Sequence, residues 1–283
     1  MTDTLQAAFD TDLMRQEREI ARRHIGKFPW MSVTWAFVNL AVWLSLWPLV
    51  LTGTLSVWIA FPIATLNVML CYLPSHEAQH DIIARPGDKL RWLNELVGHI
   101  STIPLVLPYR VARLTHLEHH KHTNHPELDP DYGTRASGPL AAIWNSIQNR
   151  QPGSESGPNA YAAALQRIGR EDVMLEAVLS TLAFYVILFA LAWSGFAWWL
   201  PRHIGQTYIV YYLSWAPHHP AYEMGRYRNT RGFRAAFGNI ASMGMQYHIV
   251  HHLHPRIPLI RTPRAFREMR DVLEARDCRL EDI

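Results

Sequence analysis

Cysteine is scarce in this chain of 283 residues, which contains only Cys71 and Cys278. Cys71 lies in a long apolar stretch and Cys278 in the C-terminal tail, so we expect no disulfide framework. Two cysteines also do not make a ferredoxin-like set of thiolates.

Charged side chains are missing from long stretches, although the mean hydropathy of the whole chain is only -0.08. Residues 30–50 and 55–73 contain no charge, and residues 178–194 and 198–215 are also apolar. Each stretch can cross a bilayer, which takes roughly 20 apolar residues. Arg202 and His203 interrupt the fourth stretch near its outer end, where we expect them to snorkel towards the headgroups.

Basic residues lie on one side of these four stretches. The links at residues 52–56 and 194–197 carry no charge, whereas basic residues precede the first stretch and follow the second and the fourth. The positive-inside rule therefore places both termini in the cytoplasm. We predict an all-α integral membrane protein with four transmembrane helices in two hairpins. Residues 1–283 would form a single domain, with a cytoplasmic helical cap at 74–177 and 216–283.

The formal net charge of +3 does not call for a nucleic acid partner, because anionic lipid at the inner leaflet suffices. Residues 1–28 read as an amphipathic cytoplasmic helix, with Leu13, Ile20 and Ile25 on its apolar side. In this helix we expect His24 to be solvated.

Histidine is the abundant metal-binding residue, with 16 copies. Two segments share the spacing H-x-x-H-H and a third has H-x-x-x-H, and on a helix each spacing puts the imidazoles on one face. Several imidazoles on one face make a poor surface and a poor core, but a good metal chelate. The histidines that share a face are His76 and His80, then His116, His119 and His120, and finally His248, His251 and His252.

These eight histidines, with His218 or His219 after the fourth stretch, exceed the roughly four ligands of one zinc site and imply two metals. Imidazoles suit iron, copper, zinc or nickel. Beside a bilayer, two iron ions make chemical sense, since a di-iron centre uses O2 to attack unactivated C–H bonds. Asp129 or Asp131 is expected to accept a hydrogen bond from one ligating ring. We expect His99 to be a satisfied residue at the membrane interface, and His122 and His125 to belong to a polar helix terminus before Pro126.

The motifs H-E-A-Q-H, H-L-E-H-H and H-I-V-H-H, in this order over four spans, resemble those of the membrane fatty acid desaturase superfamily. The resemblance covers residues 30–263. It implies a non-haem di-iron centre held by these histidines, with one more histidine shortly after the fourth span. The segments P-H-H-P at 217–220 and H-H-L-H-P-R-I-P at 251–258 are also similar to the carotenoid ketolase and hydroxylase branch, which favours His218 over His219.

The chain departs from the family pattern in two respects. We find no haem-binding domain and no ferredoxin-like set of cysteines, so we expect an external electron donor of ferredoxin or similar type. The family also has a polar ligand that acts through water near the end of the fourth span. Ser214 is the only polar residue just before the histidines here, which leaves the coordination number open.

Three functions follow from these observations. The first is an O2-dependent desaturase that acts on the hydrocarbon chain of a fatty acyl lipid. The second is a carotenoid hydroxylase or ketolase with the same metal centre. The third is a metal transporter or sensor without redox chemistry, which the sequence disfavours because the middles of the spans are nearly free of ionisable ligands.

Overall fold

The computed structural model describes residues 3–151, 154–191 and 195–281, and this part of the chain is helical, without an extended strand. The prediction of an all-α protein is therefore confirmed for the described residues. The helices are α1 (Asp3–His24), α2 (Trp30–Leu51), α3 (Val57–Gln79), α4 (Arg91–Thr102), α5 (Tyr109–His122), α6 (Pro139–Gln148), α7 (Pro158–Arg167), α8 (Met174–Leu191), α9 (Phe196–Ile209), α10 (Gly238–Ala241), α11 (His248–Leu253) and α12 (Thr262–Ala275).

Three helical segments are long and apolar enough to cross a membrane, namely α2, α3 and the segment Glu171–Leu191 that contains α8. They coincide with three of the four predicted spans. The fourth predicted span, residues 198–215, is formed by most of α9 and a π-helical segment, Val210–Trp215, that follows it directly. Its passage through the membrane stays a prediction, as does the cytoplasmic side of the cap. Residues 192–194, at the end of the third predicted span, lie outside the described residues.

Two asparagines join the first pair of spans. Nδ2 of Asn39 donates to the backbone carbonyl of Asn67 over 3.1 Å, and Nδ2 of Asn67 donates to the carbonyl of Asn39 over 2.6 Å. A bilayer offers no water to satisfy such amides, so buried side-chain amides seek protein partners. This reciprocal pair fixes the register of α2 against α3.

Helices α3 and α9 pack side by side and run in the same direction. Trp198 lies in one apolar cluster with Ala60 and Ala64, and further along the two helices Gly205 meets Val68. A Cβ atom at Gly205 would lie 2.4 Å from Cγ1 of Val68, so only glycine permits this approach. Both helices lead towards histidines at their C-terminal ends, and their close packing therefore sets the distance between those histidines.

Two expectations about single side chains are wrong. His24 is buried rather than solvated, because α1 packs against α12 and brings Nε2 of His24 within 3.1 Å of Oε2 of Glu268. Arg202 neither snorkels nor lies at an outer end, because the segment that it contacts belongs to the predicted cap. Its Nε donates instead to the backbone carbonyl of Leu105 over 2.9 Å, because a segment before α5 lies against α9 at this level.

Candidate metal centre

The ends of three helices bring the predicted histidine clusters together. His76 lies in the last turn of α3 and His80 caps it, the second cluster lies at the C-terminal end of α5, and the third cluster lies on α11. His218 joins them from the segment after the π-helix. A π-turn adds a residue to the helical ladder and commonly occurs at functional sites, because it rotates the residues that follow.

The first group of imidazoles is formed by His76, His80, His116 and His251, all buried, with one ring nitrogen of each within 4.8 Å of those of the others. Nε2 of His80 lies 2.9 Å from Nε2 of His116. His120 closes this group, since its Nε2 lies 3.1 Å from Nε2 of His116 and 3.0 Å from Nε2 of His251. Five imidazoles thus point at one small volume, which we call site A.

The second group consists of His119, His218 and His252, again with nitrogens within 4.8 Å of one another. Nε2 of His119 lies 3.2 Å from Nε2 of His218. The ring of His248 lies beside this group, with its centroid 4.6 Å from that of His252 and 5.1 Å from that of His218. We call this group of four imidazoles site B.

The spacing of the nitrogens fits a metal centre, and several of them have no partner within the protein. Two nitrogens bound at right angles to one ion, each about 2.1 Å from it, would be about 3.0 Å apart. The closest Nε2 pairs lie 2.9 to 3.2 Å apart. Both ring nitrogens of His76 and Nε2 of His252 are buried without a protein partner in the described structure. Such orphaned nitrogens are costly unless something else binds them.

In site B the second ring nitrogen of each histidine is occupied from outside, which directs Nε2 inwards. Nδ1 of His119 lies 2.8 Å from Oδ1 of Asp129, and Nδ1 of His218 donates to the carbonyl of Asn229 over 3.2 Å. Nδ1 of His252 and Nδ1 of His248 face Thr123 Oγ1 and Met245 Sδ, at 3.5 Å and 3.0 Å. Outer contacts of this kind orient metal-binding imidazoles in proteins.

Burial keeps most of these imidazoles neutral, which is the form that binds a metal. It lowers the pKa of His218 to about 3 and holds the pKa of His80, His116, His120, His248, His251 and His252 well below the usual value. His119 differs. Burial alone would lower its pKa, but the adjacent Asp129 carboxylate outweighs burial and raises the pKa of His119 to about 9.

The remaining polar residues named from the sequence lie outside both groups. The ring of His219 packs against Trp215 instead. Nδ1 of His125 accepts from the backbone of Glu127 and Leu128, and His122 faces Glu118. Oγ of Ser214 donates to Asp131 over 3.0 Å.

Glu77 in the first histidine motif and Asp81 directly after that motif connect helices. Oε1 of Glu77 accepts from the backbone N–H of Leu259 over 2.7 Å, which ties α3 to the segment after α11. The carboxylate of Asp81 accepts from Arg91 and Arg113, at 2.5 Å and 3.1 Å, and so joins the end of α3 to α4 and α5. Both contacts hold the helices that carry the imidazoles.

Sequence reasoning missed three outer contacts of site B. Thr123, the carbonyl of Asn229 and Met245 each face a ring nitrogen of a histidine in this site. Met245 and Thr123 lie three residues from a site histidine, and this spacing is the only signal in the sequence. The carbonyl of Asn229 leaves no signal in the sequence, because every residue has a backbone carbonyl.

The fatty acid desaturase family profile matches residues 52–281, a range that contains all the histidines of sites A and B. The chain belongs to the fatty acid desaturase family. The resemblance noted in its three histidine motifs is confirmed at the level of the family. Members of this family generally use two iron ions, and the histidine-only composition of sites A and B fits that use.

Several characterised relatives in this family are similar to the chain at low identity. An sn-1 acyl-lipid omega-3 desaturase (ferredoxin) of Nostoc sp. strain 36 is 24% identical over 218 residues, which are 70% of this chain and 60% of the relative. An sn-1 oleoyl-lipid 12-desaturase of Anabaena variabilis is 38% identical over 92 residues, which are 32% of this chain and 26% of the relative. The chain thus spans 60% or less of the length of these two relatives.

A relative from the other branch is also similar. A zeaxanthin 4-ketolase of Chlamydomonas reinhardtii is 32% identical over 74 residues, which are 26% of this chain and 16% of the relative. The shared stretch is much shorter than the one shared with the omega-3 desaturase.

Proposed function

We propose that the protein is a membrane-bound, O2-dependent di-iron desaturase that acts on fatty acyl chains of lipids. The observation that carries this proposal is the convergence of nine imidazoles in two adjacent groups. Site A would hold one iron through His76, His80, His116, His120 and His251, and site B the other through His119, His218, His248 and His252. His218 is the better candidate than His219, because only His218 faces a second histidine of the site.

Two irons bound here would supply the oxidising power to remove hydrogen from an unactivated C–H bond with O2. The chain's own residues determine where the ions bind and what reaches them. Asp129, Asn229 and Thr123 fix three rings from outside, and burial excludes water from the imidazoles. A site closed to water protects a reactive oxidising species from side reactions.

An apolar cluster extends from the end of α3 to site B and gives a hydrocarbon chain a suitable environment. Its buried members include Tyr72 on α3, Leu213 and Trp215 in the π-helical segment, and Met245, whose sulfur contacts the ring of His248. Apolar side chains favour contact with an alkyl chain over contact with water. This cluster therefore supports approach of the substrate from the membrane side.

The electrons would come from a separate protein, because the two cysteines of the chain are free and lie far apart in sequence. The printed name of the Nostoc relative includes ferredoxin. We propose a donor of the ferredoxin type for this chain as well.

The direct test is expression of the protein, with a ferredoxin and its reductase, in a bacterial host whose lipids lack polyunsaturated chains. We expect new double bonds in the membrane fatty acids, detected by gas chromatography with mass spectrometry. His119→Ala and His251→Ala should abolish the product while the protein still reaches the membrane. Iron-loaded protein that leaves all lipids unchanged in the presence of a reduced donor would refute the desaturase proposal.

A carotenoid ketolase is the second candidate, favoured by the similarity to the zeaxanthin 4-ketolase. It is tested in a parallel host that makes β-carotene and zeaxanthin. Ketocarotenoids in that host, with no change in fatty acids, would assign the protein to the carotenoid branch. The desaturase ranks first because the similarity to an acyl-lipid desaturase covers 70% of this chain, against 26% for the ketolase.

A further inference from the structure

Two arginines and a histidine lie side by side on the apolar surface of α9, away from the metal centre. Arg150 follows α6, and Arg202 and His203 belong to α9. The two guanidinium groups are close enough to repel each other, and His203 is within electrostatic range of both. Among the residues that the structure describes, no carboxylate neutralises either arginine. Charged residues at membrane depth are costly and usually serve a function.

Arg150 is held by neutral groups alone. Its Nη1 donates to Oγ of Ser146 over 2.8 Å, and its Nη2 donates to Oγ1 of Thr207 over 2.7 Å and to the carbonyl of His203 over 3.4 Å. These contacts fix the position of the guanidinium without cancelling its charge. The arrangement is that of a prepared cation, held in place for a partner of opposite charge.

Arg202 is anchored in the same way. Its Nε donates to the carbonyl of Leu105, its guanidinium lies 5.4 Å from the ring centroid of Phe184, and it also interacts with the hydroxyl of Tyr185. Gln206 shares the carbonyl of Leu105, at 3.3 Å. The guanidinium of Arg202 is therefore oriented by contacts with α8 and with the segment before α5, again without a carboxylate partner.

Two hydrogen-bonding nitrogens in this cluster are buried and unpaired in the described structure, Nε of Arg150 and Nε2 of His203. A buried nitrogen of an arginine without an acceptor costs free energy, because the guanidinium has donors only. Nε of Arg150 is a donor that no acceptor of the described structure satisfies, and Nε2 of His203 is one in the tautomer that carries its proton on Nε2. The cluster thus combines unneutralised positive charge with free donors, which is the chemistry that binds phosphate or carboxylate.

The cluster lies where α9 meets the predicted cap, because Nε of Arg202 and the side-chain amide of Gln206 both donate to the carbonyl of Leu105, and Arg150 follows α6. Gly205 packs on Val68, and α3 and α9 run in parallel, so Gly205 lies level with Val68 of α3. His76 and His80 lie eight and twelve residues beyond Val68, or about 12 to 18 Å along α3. An acyl chain with its polar end at the cluster can reach that far.

The surface next to the cluster fits a lipid environment. Helix α6 turns an apolar stripe outwards at i, i+3, i+4 and i+7, and all four of its side chains are exposed, namely Leu140, Ile143, Trp144 and Ile147. Trp199 and Ile204 on α9 are exposed as well. An exposed apolar stripe with a tryptophan is typical of a helix in the membrane interface.

We propose that Arg150, Arg202 and His203 bind the phosphate of a glycerophospholipid and so anchor the substrate lipid beside the metal centre. This inference rests on the proposed function, because it specifies which acyl lipids that site would receive. It predicts a preference for lipids with a phosphate over neutral lipids that carry the same acyl chains.

The test measures lipid binding rather than turnover, so that it does not depend on the irons. Detergent-purified protein is titrated with a short-chain phosphatidylglycerol, with a diacylglycerol of the same chains and with inorganic phosphate, and bound species are counted by native mass spectrometry. The variants are Arg150→Gln and Arg202→Gln, with Arg267→Gln on the exposed face of α12 as the matched control. Losing one charge-assisted contact should weaken phosphatidylglycerol binding about 10- to 100-fold.

We expect the wild-type protein and Arg267→Gln to bind phosphatidylglycerol at least about tenfold more tightly than diacylglycerol, a contrast that both cluster variants lose. Equal affinity for the two lipids in the wild type would overturn the proposal, even if a glutamine variant failed to fold. Binding of inorganic phosphate alone, with the same dependence on both arginines, would overturn the lipid assignment. Equal affinity for the two lipids in a protein that still desaturates lipids would overturn the phosphate anchor and leave the proposed function intact. Arginine-dependent lipid binding by a protein that desaturates no lipid would support the anchor and count against the proposed function.

Discussion

His119 and Asp129 form a fully buried pair, with 2.8 Å between Nδ1 of the imidazole and Oδ1 of the carboxylate. The carboxylate is itself held by the backbone N–H groups of Asn124 and Asp131, at 2.7 Å and 2.9 Å. The opposite ring nitrogen of His119 lies 3.2 Å from Nε2 of His218. Asp129 therefore fixes the tautomer of His119 and directs its Nε2 into site B.

Asp129→Asn should weaken metal binding at site B and leave site A nearly unchanged. The amide oxygen still accepts a hydrogen bond from Nδ1, but the negative charge that makes the ring a stronger ligand is gone. Loss of such an outer partner typically lowers metal affinity 10- to 100-fold. We expect this loss in a chelator competition assay, with about one metal per chain retained at a chelator concentration that leaves two in the wild type. Asp271→Asn, on the exposed face of α12, is the control, and equal affinities in the two variants would contradict the role of Asp129.

Filling both sites at pH 7.5 should release about one proton per chain, and that proton should come from His119. The other imidazoles described above have a pKa below the usual value and are already neutral, whereas the pKa of His119 is raised to about 9. Isothermal titration in buffers of different ionisation enthalpy measures the released protons. The release should disappear above pH 9 and be smaller in Asp129→Asn.

The sign of the stability effect follows from the same pair. The protonated form of His119 is stabilised by folding, because its pKa is raised above the ordinary value of 6.5. Its contribution to the metal-free protein is complete below pH 6.5 and is lost as the pH rises through about 9. A loss of stability of the metal-free protein between pH 7.5 and about 9 that is no larger in the wild type than in Asp129→Asn would contradict the assignment.

His254→Ala should lower the stability of the protein but leave its metal content unchanged. His122→Ala should change neither the stability nor the metal content. Nε2 of His254 lies 2.9 Å from Oε1 of the buried Glu17, so its loss removes a partner from a carboxylate on α1. We expect a cost of about 1–3 kcal/mol in unfolding free energy, with metal content unchanged. His122 is partly exposed and lies 3.7 Å from Glu118. Metal analysis beside thermal unfolding separates these outcomes, and loss of one iron in either variant would place that histidine in the centre.

The spacing of the histidines predicted which imidazoles share a face, because helical geometry depends only on local sequence. It could not predict that the five rings of site A come from three helices, or that His120 points to site A while its neighbour His119 points to site B. That division depends on how α3, α5 and α11 are oriented, which is set by long-range contacts such as those of Glu77 and Asp81.

Arg202 shows where local pattern fails most clearly. As a lone cation near a span end it is predicted to snorkel, and only packing reveals that Arg150, which is 52 residues earlier in sequence, lies beside it. The choice between Asp129 and Asp131 was equally open, since both precede the same turn. In the fold Asp129 faces His119, while Asp131 accepts from Ser214 and Tyr161.

Labelling of single cysteines should reveal the predicted topology of the four spans. In a background with Cys71→Ser and Cys278→Ser, Thr54→Cys lies in the exposed link between α2 and α3, and Asp271→Cys lies on the exposed face of α12. If both termini are cytoplasmic, a membrane-impermeant maleimide labels Thr54→Cys in intact cells and labels Asp271→Cys only after permeabilisation. An odd number of crossings would put the two ends of the chain on opposite sides of the membrane. The variant Glu19→Cys, on the exposed face of α1, therefore tests the fourth span separately. Protection of Glu19→Cys with free labelling of Asp271→Cys in intact cells would contradict four crossings and also the packing of α1 against α12.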